Sequence, residues 1–339
     1  MIRTPFLLAL LATGTCLSMT GCDSRPTASA PTYATVIGEG THRYGWVQDW
    51  AKLPPGMTLG GTHGCIMVDS KDRIYVNTEG DYAVLVFTPD GTLVDKWGQD
   101  FRKQAHGMFL SREADGSEHI WLAHFGRHQV VKFSLDGKVE MILPFPKDCP
   151  AYAKTEDYKP TAVAVAPNGD IYAADGYGKS WVHQYKADGT WIRSWDGSQG
   201  KSGKFNQPHG IGIDVRQNPV EVAVCDRGNR RIQRFTLDGQ WLGVVEGFRR
   251  PCKVVFRDGA VVVPDLEGRA TILDKDWKVI TQLGDNPDQK QWAKYGLPPE
   301  QWKDGIFIAP HGAAWDSQGN LYVQDWNKLG RITKLARIP

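Results

Sequence analysis

Three histidines stand out by their spacing. His106, His209 and His311 lie 103 and 102 residues apart, in Ala105-His106-Gly107, Pro208-His209-Gly210 and Pro310-His311-Gly312. Imidazole is the commonest protein ligand for transition metals, and three imidazoles with an open fourth position leave room for water or substrate. One such site would hold a single transition metal; ligand type alone leaves zinc, copper, nickel and iron open. Two further residues suit the same centre. Tyr177 is able to serve as a general base where a metal and a nearby cation lower its pKa, and Arg227 is able to clamp a carboxylate. Each has a simpler reading as well: an imidazole that caps a turn at a strand start, or a Tyr and an Arg that merely pack.

The elements that must position these residues repeat along the chain. Six segments open at Thr62-His63-Gly64, Ala105-His106-Gly107, Lys159-Pro160-Thr161, Pro208-His209-Gly210, Arg250-Pro251-Cys252 and Pro310-His311-Gly312. Each continues into short runs with apolar residues in strand alternation, such as Ile74-Tyr75-Val76 and Ile171-Tyr172-Ala173. Asp-Gly turns at Asp90-Gly91, Asp136-Gly137, Asp188-Gly189 and Asp238-Gly239 supply the positive φ of a tight hairpin. Successive openings lie 43 to 59 residues apart, the period of four-stranded propeller blades. The expected fold is all-β, a six-bladed β-propeller over 36–339. The sixth copy lacks a fourth strand, and Tyr44 to Trp50 is expected to complete it and close the ring.

In a propeller, one repeat position forms a ring around the central channel. The opening ring reads His63, His106, Thr161, His209, Cys252, His311. Alternate blades of six sit about 120° apart, so His106, His209 and His311 converge on the axis. His63, Thr161, Cys252 and Glu79 are expected to line the channel, with Cys252 able to recruit a softer metal. His42, His119, His124, His128 and His183 read as surface or turn residues, His124 being the one at a second-strand end. Asp recurs at second-strand ends in copies three to six as a structural turn residue. The insertions near 148–158 and 286–304 bring Tyr152, Tyr158, Trp292, Tyr295 and Trp302 to the rim, to bind ligand or to pack over the blades.

Charge is balanced, 40 basic against 38 acidic residues, which excludes general attraction to nucleic acid or to an anionic membrane. A monomer with a small-molecule or peptide ligand at the channel mouth is expected. At the start of the chain, Arg3 precedes an apolar run from Phe6 to Leu17 that is too short for a stop-transfer helix. It ends in Met19-Thr20-Gly21-Cys22, which resembles the lipobox of bacterial lipoproteins. Residues 1–21 then read as a lipoprotein signal peptide and 22–35 as a flexible tether rich in Ser, Pro, Ala and Thr. The expectation is export to the cell envelope, periplasm or cell surface, held to membrane only by lipid on Cys22. Cys65, Cys149, Cys225 and Cys252 remain, able to form two disulfides in three connectivities or to stay as buried thiols.

The repeats resemble NHL repeats. The runs Pro160-Thr161-Ala162-Val163-Ala164-Val165, Ala174-Asp175-Gly176-Tyr177, Pro208-His209, Asp226-Arg227-Gly228-Asn229-Arg230-Arg231-Ile232-Gln233 and Pro310-His311 are similar to peptidyl-α-hydroxyglycine α-amidating lyases. That resemblance implies a six-bladed propeller with zinc on His106, His209 and His311, Tyr177 as catalytic base, Arg227 in the active site, and cleavage of a C–N bond to give an amide and glyoxylate. Glu79 stands where the family has a second arginine; a carboxylate there repels a substrate carboxylate and does not acidify Tyr177. Gly312 stands where the family has the Asp of a calcium site, which argues against calcium. The rival readings are a non-catalytic envelope propeller that binds a protein, peptide or glycan, and a metal-dependent hydrolase of the lactonase kind.

Overall fold

The computed structural model describes residues 32–339. The expected signal segment, Cys22 and most of the tether lie outside the described residues. Two N-terminal strands, β1 (Val36–Ile37) and β2 (Tyr44–Val47), precede six copies of one antiparallel meander. Blade one holds β3 (Ile66–Val68), β4 (Ile74–Asn77), β5 (Val84–Phe87) and β6 (Leu93–Trp97). Blade two holds β7 (Ala105–Arg112), β8 (Glu118–His124), β9 (Gln129–Ser134) and β10 (Val139–Ile142). Blade three holds β11 (Ala162–Val165), β12 (Ile171–Ala174), β13 (Val182–Tyr185) and β14 (Trp191–Trp195). Blade four holds β15 (Pro208–Asp214), β16 (Glu221–Asp226), β17 (Arg231–Thr236) and β18 (Trp241–Val245). Blade five holds β19 (Val255–Arg257), β20 (Ala260–Asp265), β21 (Arg269–Leu273) and β22 (Val279–Leu283). Blade six holds β23 (Pro310–Trp315), β24 (Leu321–Asp325) and β25 (Arg331–Arg337).

The first strands pack beside one another around the axis, β3 to β7, β7 to β11, β11 to β15, β15 to β19, β19 to β23 and β23 back to β3. Each blade is buried on both faces, so its alternating side chains feed two cores. Val222 and Val224 of β16 pack toward blade three, while Ala223 and Cys225 of the same strand pack toward blade five. The turns behave as their residues require: Gly91, Gly137, Gly189 and Gly239 hold φ of 89°, 83°, 85° and 82°.

Blade six is closed as expected, by β2 pairing antiparallel with β25 from Tyr44↔Arg337 to Val47↔Lys334. Two details differ from the sequence reading. The strand stops at Val47, and Trp50 turns into the core between blades one and six, against Phe87 and Tyr322, with its Nε1 donating to the Pro89 carbonyl. A fifth strand, β1, pairs outside β2 and covers the edge that β2 would expose. The four cysteines are free thiols, all buried. His183 is also fully buried, between the Tyr152 and Ser194 hydroxyls, and is not a surface residue. Its ring lies under the 148–158 insertion, whose Tyr152 and Tyr158 pack on it; sequence separation hid that contact.

Trp46 locks the closing strand, its ring 5.3 Å from Phe307 and under the Arg331 guanidinium. Trp46→Ala is expected to destabilise the fold by about 3–5 kcal/mol, read as a lower urea midpoint. Val94→Ala, at an exposed site, should stay within about 0.5 kcal/mol of the parent.

Candidate metal centre

The strand-opening residues of alternate blades meet on the axis. Ring centroids stand 4.6 Å apart for His106 and His209, 4.7 Å for His209 and His311, and 4.9 Å for His106 and His311, each pair edge to face. One bond fixes each ring. His106 Nδ1 lies 2.6 Å from the Thr161 carbonyl, His209 Nδ1 2.9 Å from the Cys252 carbonyl, and His311 Nδ1 2.9 Å from the Gly64 carbonyl. Each acceptor belongs to the next blade. A carbonyl oxygen only accepts, so each Nδ1 carries the hydrogen and each Nε2 presents its lone pair to the axis.

This clasp explains why glycine follows each histidine. A Cβ at Gly107 would lie 2.2 Å from the Thr161 carbonyl oxygen, and one at Gly210 would lie 2.3 Å from that of Cys252. At Gly312 a Cβ would come within 3.0 Å of Cys65 Cα. Only a bare backbone lets the inner strand approach the carbonyl that its own histidine grips.

A second set of bonds holds the segments that lead into the ring. The second-strand aspartates accept backbone hydrogens just upstream of each opening residue: Asp175 from Lys159, Asp226 from Asn206, Asp265 from Arg250 and Asp325 from Ala309. In blades four to six an arginine (Arg231, Arg269, Arg331) backs the carboxylate. Blade three has Tyr152 instead, whose hydroxyl lies 2.6 Å from Asp175 and 2.8 Å from His183. Asp175 also accepts from the Lys179 backbone at 2.6 Å, which pins the loop carrying Tyr177 over the axis.

The Tyr177 hydroxyl sits 3.2 Å from His209 Nε2, 3.3 Å from His106 Nε2 and 3.4 Å from His63 Nε2. His311 Nε2 is buried with no hydrogen-bond partner. Burial holds all three ring imidazoles well below the usual histidine range, so they stay neutral with free lone pairs. An orphaned, buried imidazole nitrogen among converging lone pairs fits a cation. Ligand atoms within 4.8 Å of one another occur in two sets that share His311: His63, His106 and His311, and His209, Cys252 and His311. The structure therefore places His63 and Cys252 among the ligand-competent groups; the sequence reading had both as channel lining, with Cys252 also able to recruit a softer metal. Thr161 contributes only its carbonyl and a hydroxyl that donates to the Pro208 carbonyl. Beneath the ring lies a cavity of about 10 Å³, room for about one water-sized sphere.

Arg227, from the turn after β16, is buried. Its Nε donates to Gln207 Oε1 at 3.1 Å, Nη2 reaches the Tyr177 hydroxyl at 3.5 Å, and Nη1 lies 3.8 Å from Cys252 Sγ. Burial raises the pKa of Tyr177, and Arg227 opposes that rise. Glu79 does not face the ring directly: it accepts from His63 Nδ1 at 3.3 Å and from the Tyr295 hydroxyl at 2.7 Å. Tyr295 stacks on Trp326 at 4.6 Å, so this insertion residue forms the mouth, while Trp292 and Trp302 pack against Arg249 and Arg331. Lys253 escaped the sequence reading. It takes the place that glycine holds after the three histidines, and its buried ammonium donates to the Met108 carbonyl at 3.1 Å.

No family model matches the chain. It is 32% identical over 205 residues to NHL repeat-containing protein 3 of Homo sapiens, covering 57% of each chain. It is 29% identical over 184 residues to a probable peptidyl-alpha-hydroxyglycine alpha-amidating lyase of Caenorhabditis elegans, covering 53% of this chain and 48% of that one. The chain has homologues under both names. It spans about half the length of the curated relatives it matches. A streptogramin B lyase structure superposes with a TM-score of 0.58 at 15% identity, over 83% of this chain and 94% of that one, which shows the shared propeller fold.

Two measurements check this geometry. Gly210→Ala should push β15 off the Cys252 carbonyl, costing about 1–3 kcal/mol and weakening zinc uptake in a chelator competition. The metal-free protein should also lose stability as pH falls from about 6.5 toward 4. His183 and His124 are held by burial at about 3 and about 4, and the three ring histidines also lie well below 6.5. The unfolded chain takes up protons across that window, and the folded imidazoles do not. Asp175, Asp265 and Asp325, raised by burial, act in the opposite sense but are outnumbered. Urea midpoints should therefore be lower at pH 5 than at pH 7.5.

Proposed function

We propose that this protein is a metal-dependent lyase that breaks the C–N bond of a carbinolamine, a peptidyl-α-hydroxyglycine or a related α-hydroxy substrate. The observation that carries this reading is the placement of the Tyr177 hydroxyl at the focus of the imidazole nitrogens with the Arg227 guanidinium behind it. The amidating-lyase homologue adds support through the activity that its name states. His106, His209 and His311 would hold the metal, zinc by the same resemblance, and a bound divalent ion supplies Lewis-acid polarisation of the substrate oxygen. The remaining chemistry belongs to the chain.

Tyr177 Oη takes the proton of the substrate hydroxyl. The electron pair of that O–H bond becomes the new carbonyl bond, and the C–N pair leaves on nitrogen. Tyr177 then returns the proton to that nitrogen, so an amide and an aldehyde result and atoms balance. Arg227 stabilises the phenolate that Tyr177 must be before the first transfer and becomes again after the second. Glu79 and Tyr295, at the mouth with His63, disfavour a substrate carboxylate close to them and select a neutral or amine-bearing group there.

We also assign the protein to the cell envelope, exported by its first 21 residues and lipid-anchored at Cys22, on the motif Met19-Thr20-Gly21-Cys22. Cys22→Ala should move it from the membrane to the soluble fraction.

The test is glyoxylate release from an α-hydroxyglycine peptide by the zinc-loaded protein. Tyr177→Phe should retain its zinc and lose about 10²–10⁴-fold in turnover. Unchanged turnover in that variant would remove the lyase mechanism. Absence of turnover by the zinc-loaded parent across carbinolamine substrates would leave a binding propeller as the better account.

A further inference from the structure

The channel carries more buried positive charge than its neighbours balance. Arg227 is 4% exposed and Lys253 is 7% exposed, and neither forms an ion pair with a carboxylate among the described residues. The three ring histidines are neutral donors, so a divalent ion among them adds two more positive charges. A desolvated site does not hold that much charge uncompensated. Arg227 touches two groups that are able to become anions: the Tyr177 hydroxyl at 3.5 Å and the Cys252 thiol at 3.8 Å.

Cys252 is also one of the ring residues. Its Sγ and the ring nitrogens of His209 and His311 lie within 4.8 Å of one another, all three buried, and His311 Nε2 has no other partner. Its backbone carbonyl receives His209 Nδ1, so one residue both orients a histidine and offers a donor beside it. Soft thiolate donors suit zinc and copper(I), and a zinc–thiolate bond replaces the thiol proton.

We propose that Cys252 is a thiolate ligand of the metal, joining His209 and His311 and giving this propeller a mixed nitrogen–sulfur centre in place of an all-imidazole one. As the metal–sulfur bond forms, the thiol proton leaves to solvent, and the thiolate offsets charge from the metal, Arg227 and Lys253. Tyr177 stays free for its own proton. This inference rests on the metal-centre reading above.

X-ray absorption at the zinc edge of the zinc-loaded wild-type protein separates the two. One sulfur at about 2.3 Å together with nitrogens at about 2.0–2.1 Å is the expected result. Zinc with nitrogen and oxygen neighbours only would overturn the Cys252 ligand and leave the histidine site standing. Failure to take up zinc at all would overturn both. Cys252→Ser, with every histidine intact, should lose the sulfur signal and bind zinc about tenfold or more weakly in chelator competition. The cobalt(II)-loaded parent should show a near-ultraviolet thiolate charge-transfer band that this variant lacks. A band that persists in Cys252→Ser would place the sulfur elsewhere and contradict the assignment.

Discussion

The structure depends on one bond made three times: an imidazole Nδ1 of one blade donating to a backbone carbonyl of the next, at His106, His209 and His311. The bond stitches neighbouring blades at their narrowest point. It also fixes the tautomer and aims three lone pairs at the axis. Structural and chemical demands are met by the same atoms, and glycine after each histidine is the steric condition for both. The aspartates at second-strand ends add the outer support, since they hold the backbone that leads into each ring residue.

Blade three shows how this support is adapted. Its opening residue is Thr161, not histidine, and its aspartate lacks the arginine found in the next three blades. The Tyr152 hydroxyl, brought in by an insertion, takes that role and ties Asp175 to His183. The loop it steadies carries Tyr177, which alone reaches three imidazoles at once. A side chain held by backbone bonds on both sides is placed with the accuracy that proton transfer needs.

The fold was legible because a repeat states itself many times. Short apolar runs such as Ile74-Tyr75-Val76, buried on both faces, the Asp-Gly hairpins and the spacing of the His-Gly pairs all report one geometry. The approach of the His106, His209 and His311 rings followed from symmetry, whereas the division of their ligand atoms into two sets, with His106 in one and His209 in the other, did not. What escaped reading lies off the repeat. His183 meets Tyr152 across 31 residues, and Glu79 meets Tyr295 across 216, through insertions with no periodic signal. Lys253 was missed because a buried ammonium is visible only once its surroundings are known. The nearness of His63 and Cys252 to the other ligand-competent groups is a matter of a few ångströms between side chains, which ring position does not resolve.

The central claim is that the channel ring is a metal centre. Elemental analysis of the protein from residue 23 onward, after exposure to zinc and exhaustive dialysis, tests it most directly when set beside the triple variant His106→Ala, His209→Ala, His311→Ala. The account expects about one zinc per chain in the parent and close to none in a folded variant. Equal metal content in the two proteins, or none in the parent, would contradict it.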